Sequence, residues 1–577
     1  MKVSDYIAHF LESRRVPCVF EMSGGMITHM LDSLNRRGTV PVVSVHHEQS
    51  AAFAADAVGR MTGIPGVAMA TSGPGATNLL TGIGSCHFDS SPAVFITGQV
   101  NRSEQKGDRA IRQLGFQETD IVSMAHPITK AAWAVQTPEE VPELLRRAFA
   151  TATAGRPGPV LVDIPMDVQR AGIEVPDPDM DEAPDANPGA PSPDDSFLSE
   201  MFEQLKRAER PLILVGGGIR AAWVTEQLRA FAHKVQIPVV YSLMAVDVMP
   251  YHDRLRAGWI GSYGNRWANL AIGESDFLLV LGSRLDIRQT GADTASFKGG
   301  RTVFHVDCEA GELNNRVTGC RTLCAHLHDF FPAALRMAGE QEFVSRGSWM
   351  NEIEQLRVKW PDTAELNDVP GINPNVLMHQ LSAVSTAASA YVVDVGQHQM
   401  WAAQSLEIGE DQRFLTSGGM GSMGFSLPAA IGTAVAQPGR PVVLVAGDGG
   451  FQSNIQELQT VVRNGLPIKM VIVNNNCHGM VRQFQESYFD ARYQSTLWGY
   501  SAPDFARVAA AYGIDAQTVE SENEVEQALG RLWQDPAAPA LLQVMVSTYA
   551  NAYPKIAFGR AMTEMEPFAQ PIEMEST

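Results

Sequence analysis

Residues 442–480 read VVLVAGDGGFQSNIQELQTVVRNGLPIKMVIVNNNCHGM. The apolar run Val442–Ala446 feeds Gly447-Asp448-Gly449-Gly450, a helical pattern follows, and a second run, Met470–Val473, ends in Asn474-Asn475-Asn476. Runs this short and continuously apolar are expected to be parallel strands with helices over both faces. Asp448 and Asn475 then stand at two strand ends, 27 residues apart (475 minus 448), where they can share one hard cation. Mg²⁺ takes oxygen ligands in octahedral geometry and bridges protein to phosphate. The glycines let the backbone approach a diphosphate closely and offer it N–H groups. The plainer reading of the same residues is a structural turn followed by an asparagine-rich loop.

The alternation continues through the 577 residues. Strands are expected at Pro159–Asp163, Leu212–Val215 and Phe277–Leu281, among others, many of them ending in glycine-rich turns of the kind that bind ligands in open α/β sheets. Residues 174–196 are rich in Pro, Asp and Ala and read as a surface linker. A softer break lies around Val358–Asn375. The fold class is therefore α/β, with three doubly wound parallel-sheet domains at 1–172, 197–345 and 373–550. Linkers are expected at 173–196 and 346–372, and a C-terminal tail or lid at 551–577. The formal net charge of −20 argues against nucleic acid and anionic membrane as partners. No stretch reads as a signal peptide or membrane span, and six scattered cysteines make no disulfide framework. A cytoplasmic enzyme is expected. Cys320, Cys324, His326 and His328 lie close together, but C-x3-C-x-H-x-H is not a common structural zinc spacing, and they read as ordinary loop and helix-start residues.

The GDG…N pattern resembles the diphosphate signature of thiamine-diphosphate enzymes. The resemblance assigns the metal to Asp448, Asn475 and the carbonyl of Cys477, and places Gly447, Gly449, Gly450, Gly479 and Met480 around the cofactor. VSVHHEQSAAFAADAVGR resembles the segment that carries this family's glutamate, here Glu48, whose carboxyl group pairs with the cofactor's pyrimidine nitrogen. An acid at a helix start that merely complements the dipole is the alternative. Thr71-Ser72-Gly73-Pro74-Gly75-Ala76-Thr77-Asn78 resembles the turn packed near the pyrimidine, with Thr71, Pro74 and Asn78 as contacts. Gly24-Gly25 also fit, although Ser23 stands where the family has proline. In Gly418–Gly424, the resemblance makes Met423 the apolar wedge that bends the cofactor and the Gly421 carbonyl an acceptor for its amino group; alone, Met423 would read as a core filler. The family also implies at least a homodimer, as a dimer or a tetramer, with each site shared between subunits.

The middle third resembles acetohydroxyacid synthases, where the equivalent segments hold a non-redox FAD. The implied contacts are Gly216 and Gly217 in LILVGGGIR; Ser242, Leu243 and Met244; Gly261, Ser262 and Tyr263; Gly282, Ser283, Arg284, Asp286 and Arg288 in LGSRLDIRQTG; Asp307; and Arg156 from the first domain. A sheet with generic glycine turns and no nucleotide is the alternative.

These relatives decarboxylate pyruvate and pass the two-carbon unit to a second 2-keto acid. Two departures bear on the acceptor: Phe484 stands for the family's tryptophan and Met166 for its lysine. The loop NRSEQKGDRAIRQLGFQE (101–118) is about six residues longer than in those synthases and carries Arg102, Lys106, Arg109 and Arg112. Arginine forks suit phosphate oxygens. The loop and the tail look like those of surface-polysaccharide enzymes, one of which adds an acetyl branch to a nucleotide-linked 4-keto-deoxysugar. The expected acceptor is therefore such a ketosugar, with Phe116, Arg109, Arg112 and Phe484 around it and with Gln117 and His87 as groups that polarise its carbonyl. For His87 the plainer reading, a buried structural histidine, is the stronger of the two. Acetolactate synthesis from two pyruvates is the main alternative; a flavin-reducing pyruvate oxidase and a non-catalytic subunit are the others.

Overall fold

The computed structural model describes residues 1–174 and 195–572. The expected linker at 173–196 falls almost wholly outside the described residues, as do the last five of the tail.

Three six-stranded sheets, all parallel, form the framework. The first holds β1 (Val19–Met22), β2 (Val42–Ser44), β3 (Gly66–Ala70), β4 (Ala93–Gln99), β5 (Ala131–Ala134) and β6 (Pro159–Pro165). The second holds β7 (Pro211–Val215), β8 (Val239–Tyr241), β9 (Arg256–Trp259), β10 (Phe277–Leu281), β11 (Thr302–Asp307) and β12 (Arg321–Cys324). The third holds β13 (Ala390–Val393), β14 (Arg413–Leu415), β15 (Val442–Gly447), β16 (Ile468–Asn474), β17 (Asp515–Val519) and β18 (Ala540–Met545). The inner strands are buried along their whole length, which is why their sequences run apolar rather than alternating.

The first sheet runs β2-β1-β3-β4-β6-β5 and the third β14-β13-β15-β16-β18-β17, so the two share one strand order. In each, the order reverses between the first and third strands (β1/β3 and β13/β15), and such switch points open the crevice where open α/β sheets bind ligands. The second sheet runs β12-β11-β10-β7-β8-β9, the dinucleotide-binding order, with its switch between β7 and β10.

The helices Glu48–Thr62 and Ser426–Ala436 occupy equivalent places, each between the second and third strands of its own sheet, and they pack against each other. Their alanines and glycines allow close approach: a β-carbon on Gly432 would lie 2.1 Å from the Ala54 carbonyl oxygen. Gly432→Val is expected to overpack this interface by about 1–3 kcal/mol and to lower the urea unfolding midpoint. An unchanged midpoint would show that the two helices separate at little cost.

The stretch read as a second linker holds the helix Gly347–Lys359. Its buried Trp349 donates from Nε1 to the Pro211 carbonyl at 3.1 Å, which ties the helix to the middle domain. The tail forms a small antiparallel pair, Lys555–Ile556 with Met565–Glu566. It is held to the middle domain by Ile556 N–H donating to the Ser262 carbonyl and by Arg266 donating to the Glu566 carbonyl. No helix among the described residues is long and apolar enough to cross a membrane.

Candidate active site

β15 and β16 are hydrogen-bonded neighbours, with Gly447 beside Val473. Asp448 and Asn475 therefore leave adjacent strands at nearly the same level, and neighbouring strands lie about 4.8 Å apart. One oxygen of Asp448 accepts from Gly449 N–H at 2.9 Å; the other is buried and makes no close hydrogen bond, with the Tyr500 hydroxyl the side-chain group near the carboxylate. Burial pushes the carboxyl up to about 6 because the charged form lacks solvation. Asn475 Oδ1 accepts from Cys477 N–H at 3.2 Å. The Cys477 thiol is buried and pushed up to about 11 by burial, so it is neutral at physiological pH. An uncompensated carboxylate oxygen beside an amide oxygen is the donor set a hard divalent cation takes. These residues fit Mg²⁺.

The walls around this pair suit a diphosphate. A β-carbon on Gly447 would sit 2.7 Å from His398 Nδ1, one on Gly449 3.0 Å from Met423 Cε, and one on Gly450 2.3 Å from Asp394 Oδ1. His398 Nε2 and Ser422 Oγ are both buried without a partner. Burial lowers the His398 imidazole to about 4, which keeps it neutral. Buried polar atoms are nearly always satisfied in a finished structure, so three orphans around one glycine turn mark the place of a polar ligand. Met423 lies against Gly449 and is partly exposed. Asp394 fixes its loop by accepting from Gly424 and Ser426 N–H at 3.0 and 2.8 Å.

The first sheet builds a second cluster at its own switch point. Glu48 starts the helix that follows β2 and is buried. Its Oε2 accepts from Asn78 Nδ2 at 2.9 Å, and a β-carbon on Gly75 would lie 3.2 Å from its Oε1. Thr71 follows β3 and accepts from Met26 N–H at 3.2 Å; it leaves no room for a β-carbon on Gly24. Gly73, at φ +66°, approaches the Gln117 side chain, where a β-carbon would lie 3.0 Å from Gln117 Cβ. Gly24, Glu48, Thr71, Pro74, Asn78 and Gln117 thus converge, with Gly25 open beside them. The contacts of Glu48 come from the first domain and those of Asp448 from the third.

Around the middle domain's switch point lies a cavity of about 1320 Å³. The residues expected to contact FAD line it, Arg156 included, except Gly261. Gly261 backs the wall at φ +116°, where a β-carbon would strike the Arg288 carbonyl. The cavity reaches Gly418–Gly421 and Met480 of the third domain, so its far end meets the segment beside Met423. Arg156 donates to Ser90, Glu309 and Glu312.

His87 is not among the cavity's lining residues; it stacks edge-on against Phe88, and burial and the nearby Arg156 lower its imidazole. Phe116 is 80% exposed, as are Arg109 and Arg112 to a large degree. Arg109 donates to the carbonyls of Gln105 and Lys106, whereas Arg102 is engaged with Asp167. Phe484 lies on the helix Gly479–Tyr488 and packs on Tyr488 and Phe489. Cys320, Cys324, His326 and His328 form no metal-holding cluster among the described residues.

Sequence reasoning missed Asp394, Gln397 and His398. The signal was available: DVGQH follows the apolar run of β13, the strand beside β15 at the switch point.

Three family models match in order: the N-terminal thiamine pyrophosphate binding domain over 1–124, the central domain over 198–333 and the C-terminal binding domain over 394–544. The acetolactate synthase large subunit of Parasynechococcus marenigrum is 38% identical over 96% of this chain and 89% of its own length. Isozyme 2 large subunit of Escherichia coli is 36% identical over 98% and 99%. The chloroplastic acetolactate synthase 2 of Nicotiana tabacum is 35% identical over 98% and 85%. With the glycine turns, the buried acid and the orphaned donor set in their places, the chain belongs to the thiamine-diphosphate-dependent enzymes, as a carboligase of the acetolactate synthase large-subunit type.

Proposed function

We propose that the protein decarboxylates pyruvate and joins the remaining two-carbon unit to a second pyruvate, forming acetolactate, with Mg²⁺ and a non-redox FAD as further cofactors. The likeness to acetolactate synthases along nearly the whole chain carries this reading, and it favours pyruvate over the ketosugar acceptor expected from the basic loop. Thiamine diphosphate, when bound, supplies the electron sink that lets the carboxylate of a 2-keto acid depart. Glu48 holds a proton at the pyrimidine nitrogen from a buried site. Asp448 and Asn475 hold the cation, Gly447–Gly450 offer backbone N–H groups, and Met423 keeps water from the face it covers. Gln117, held beside Gly73, orients the acceptor. The Glu48 and Asp448 clusters draw on different sheets, and partly exposed apolar side chains (Met22, Phe116, Met423) stand beside them. That arrangement supports a homodimer in which a second copy completes each site.

FAD is supported by the dinucleotide-type strand order and by a cavity larger than the roughly 300–1,000 Å³ of drug-sized sites. A non-redox role predicts that anaerobic pyruvate leaves the flavin yellow; bleaching would indicate an oxidase.

One observation favours a second acceptor. Arg109 and Arg112 have no carboxylate partner among the described residues and stand on the loop that leads to Gln117. The test is NMR of products from pyruvate with and without a nucleotide-linked 4-ketosugar. Acetolactate is expected from pyruvate alone, unchanged by the sugar and unaffected by joint replacement of Arg109 and Arg112 with alanine. A two-carbon-branched sugar that disappears in the double variant would transfer the assignment to the ketosugar.

A further inference from the structure

An amide side chain binds a cation only through its oxygen, and nothing in the shape of asparagine decides which end points where. Cys477 N–H, which can only donate, holds Asn475 Oδ1 from one side at 3.2 Å, and the buried Nδ2 at the other end needs an acceptor whose own orientation is fixed. Three buried side chains, Asn475, Gln397 and Gln483, form a line of hydrogen bonds. Asn475 Nδ2 donates to Gln397 Oε1 at 3.1 Å. Gln397 Nε2 donates to Gln483 Oε1, also at 3.1 Å. At the far end Gln483 meets the backbone of Ala552 twice: its Oε1 accepts from Ala552 N–H at 2.9 Å, and its Nε2 donates to the Ala552 carbonyl at 3.1 Å.

The backbone end removes the ambiguity. A peptide N–H can only donate and its carbonyl can only accept, so Gln483 has one permitted orientation. Its Oε1 must then receive Gln397 Nε2, which leaves Gln397 Oε1 to receive Asn475 Nδ2. Asn475 Oδ1 is left on the Asp448 side, accepting from Cys477 N–H. Reversing any one amide sets donor against donor and acceptor against acceptor in a buried row. The row also fixes spacing, since a β-carbon on Gly479 would fall 1.9 Å from Gln397 Oε1 and 2.7 Å from Asn475 Nδ2.

We infer that the Ala552 backbone, acting through Gln483 and Gln397, orients the Asn475 amide so that its oxygen faces the divalent cation, which makes Gln483 a positioning residue for the metal. The inference rests on the reading that Asp448 and Asn475 ligate that cation. It also gives the segment after β18 a role, because the chain leaves the third domain toward the middle one through Ala552 and Tyr553, whose carbonyl accepts from Gln404.

The experiment measures Mn²⁺ binding by electron paramagnetic resonance in the presence of saturating thiamine diphosphate, for the wild type, Gln483→Leu and Gln483→Glu. Leucine breaks the row. Glutamate, protonated where burial disfavours its charge, donates its O–H to the Ala552 carbonyl in place of Nε2 and still receives Ala552 N–H and Gln397 Nε2 at its other oxygen, and so preserves the direction of the row. The expected result is Mn²⁺ binding weakened about 10–100-fold in Gln483→Leu, the range seen when a ligand's supporting hydrogen bond is removed, with most of the loss recovered in Gln483→Glu. Turnover of Gln483→Leu should return at high Mg²⁺ with KM for pyruvate unchanged, which a general packing defect would not allow. Equal binding in wild type and Gln483→Leu overturns the inference, and so does equal loss in both variants. Absence of thiamine-dependent Mn²⁺ binding in the wild type would instead overturn the metal reading. If Gln483→Leu does not fold, Gln397→Leu breaks the same row and is expected to show the same loss.

Discussion

Glu48→Gln is expected to lower turnover by about 10²–10⁴-fold, the range contributed by a positioned acid–base group, while thiamine diphosphate still binds. Glutamine keeps the volume of the side chain and an oxygen for Asn78 Nδ2, so the helix Glu48–Thr62 and its packing on Ser426–Ala436 should persist. What it loses is the exchangeable proton. Glu48 is buried between Asn78 and Gly75, and little water is at hand to replace it. Steady-state turnover at saturating pyruvate, with cofactor affinity measured by calorimetry on the same samples, separates the two effects. Turnover equal to the wild type would show that Glu48 is a helix-start acid and would revive the reading of a non-catalytic subunit. Loss of cofactor binding together with turnover would make Glu48 a binding residue rather than an acid–base group.

The sheets were legible because their strands are buried on both faces: runs such as Val442–Ala446 and Phe277–Leu281 have no polar alternation to confuse them with half-exposed strands or amphipathic helices. The shared strand order of the first and third sheets was not legible. Strand order depends on which helix crosses which face, and the equivalence of Glu48–Thr62 and Ser426–Ala436 shows only once their glycines and alanines are seen in contact. The helix Gly347–Lys359 was hidden for a related reason. Its neighbours Pro361, Pro370 and Pro374 mark a break, and of its own residues only Trp349 and Ile353 are buried.

Within the site, residues that leave strands through glycine turns were readable from sequence: Asp448, the Gly216–Gly217 turn and Thr71–Pro74. Residues whose value lies in a partner were not. Gln397 and Gln483 are ordinary amides until Ala552 is placed beside them, and His398 is one more histidine until its Nε2 is found buried without a partner. The basic loop is the reverse case. Its charge suggested a phosphate, yet Arg102 is engaged with Asp167, and the Glu118 carboxylate accepts from the N–H groups of Lys106 and Leu114. Part of the loop's polarity serves to hold its own shape.

The second large effect is expected at Asp448, and it should move stability and binding in opposite directions. Asp448→Ala is expected to weaken Mg²⁺-dependent cofactor binding by more than the roughly 10–100-fold that follows loss of a ligand's supporting hydrogen bond, since it removes the charged ligand itself. Without cation, the wild-type carboxyl sits at about 6 because burial disfavours its charge. A folded-state value raised above the unfolded one gives stability that is complete below the unfolded value and is lost as pH rises through about 6. At pH 7.5 the metal-free protein therefore carries an unsolvated charge, and alanine removes it. Metal-free Asp448→Ala should melt above the metal-free wild type at pH 7.5, and the difference should shrink as pH falls toward 5. The cation reverses the sign, because it binds only the carboxylate: Mg²⁺ with thiamine diphosphate should raise the wild-type midpoint at pH 7.5 and raise it less at pH 5, where protons compete. The variant should show no rise at either pH. Thermal midpoints for the two proteins, with and without ligands, at two pH values decide the matter. A ligand-induced rise in Asp448→Ala would place the cation elsewhere, and a metal-free variant less stable than the wild type at pH 7.5 would mean that Asp448 is a structural residue first.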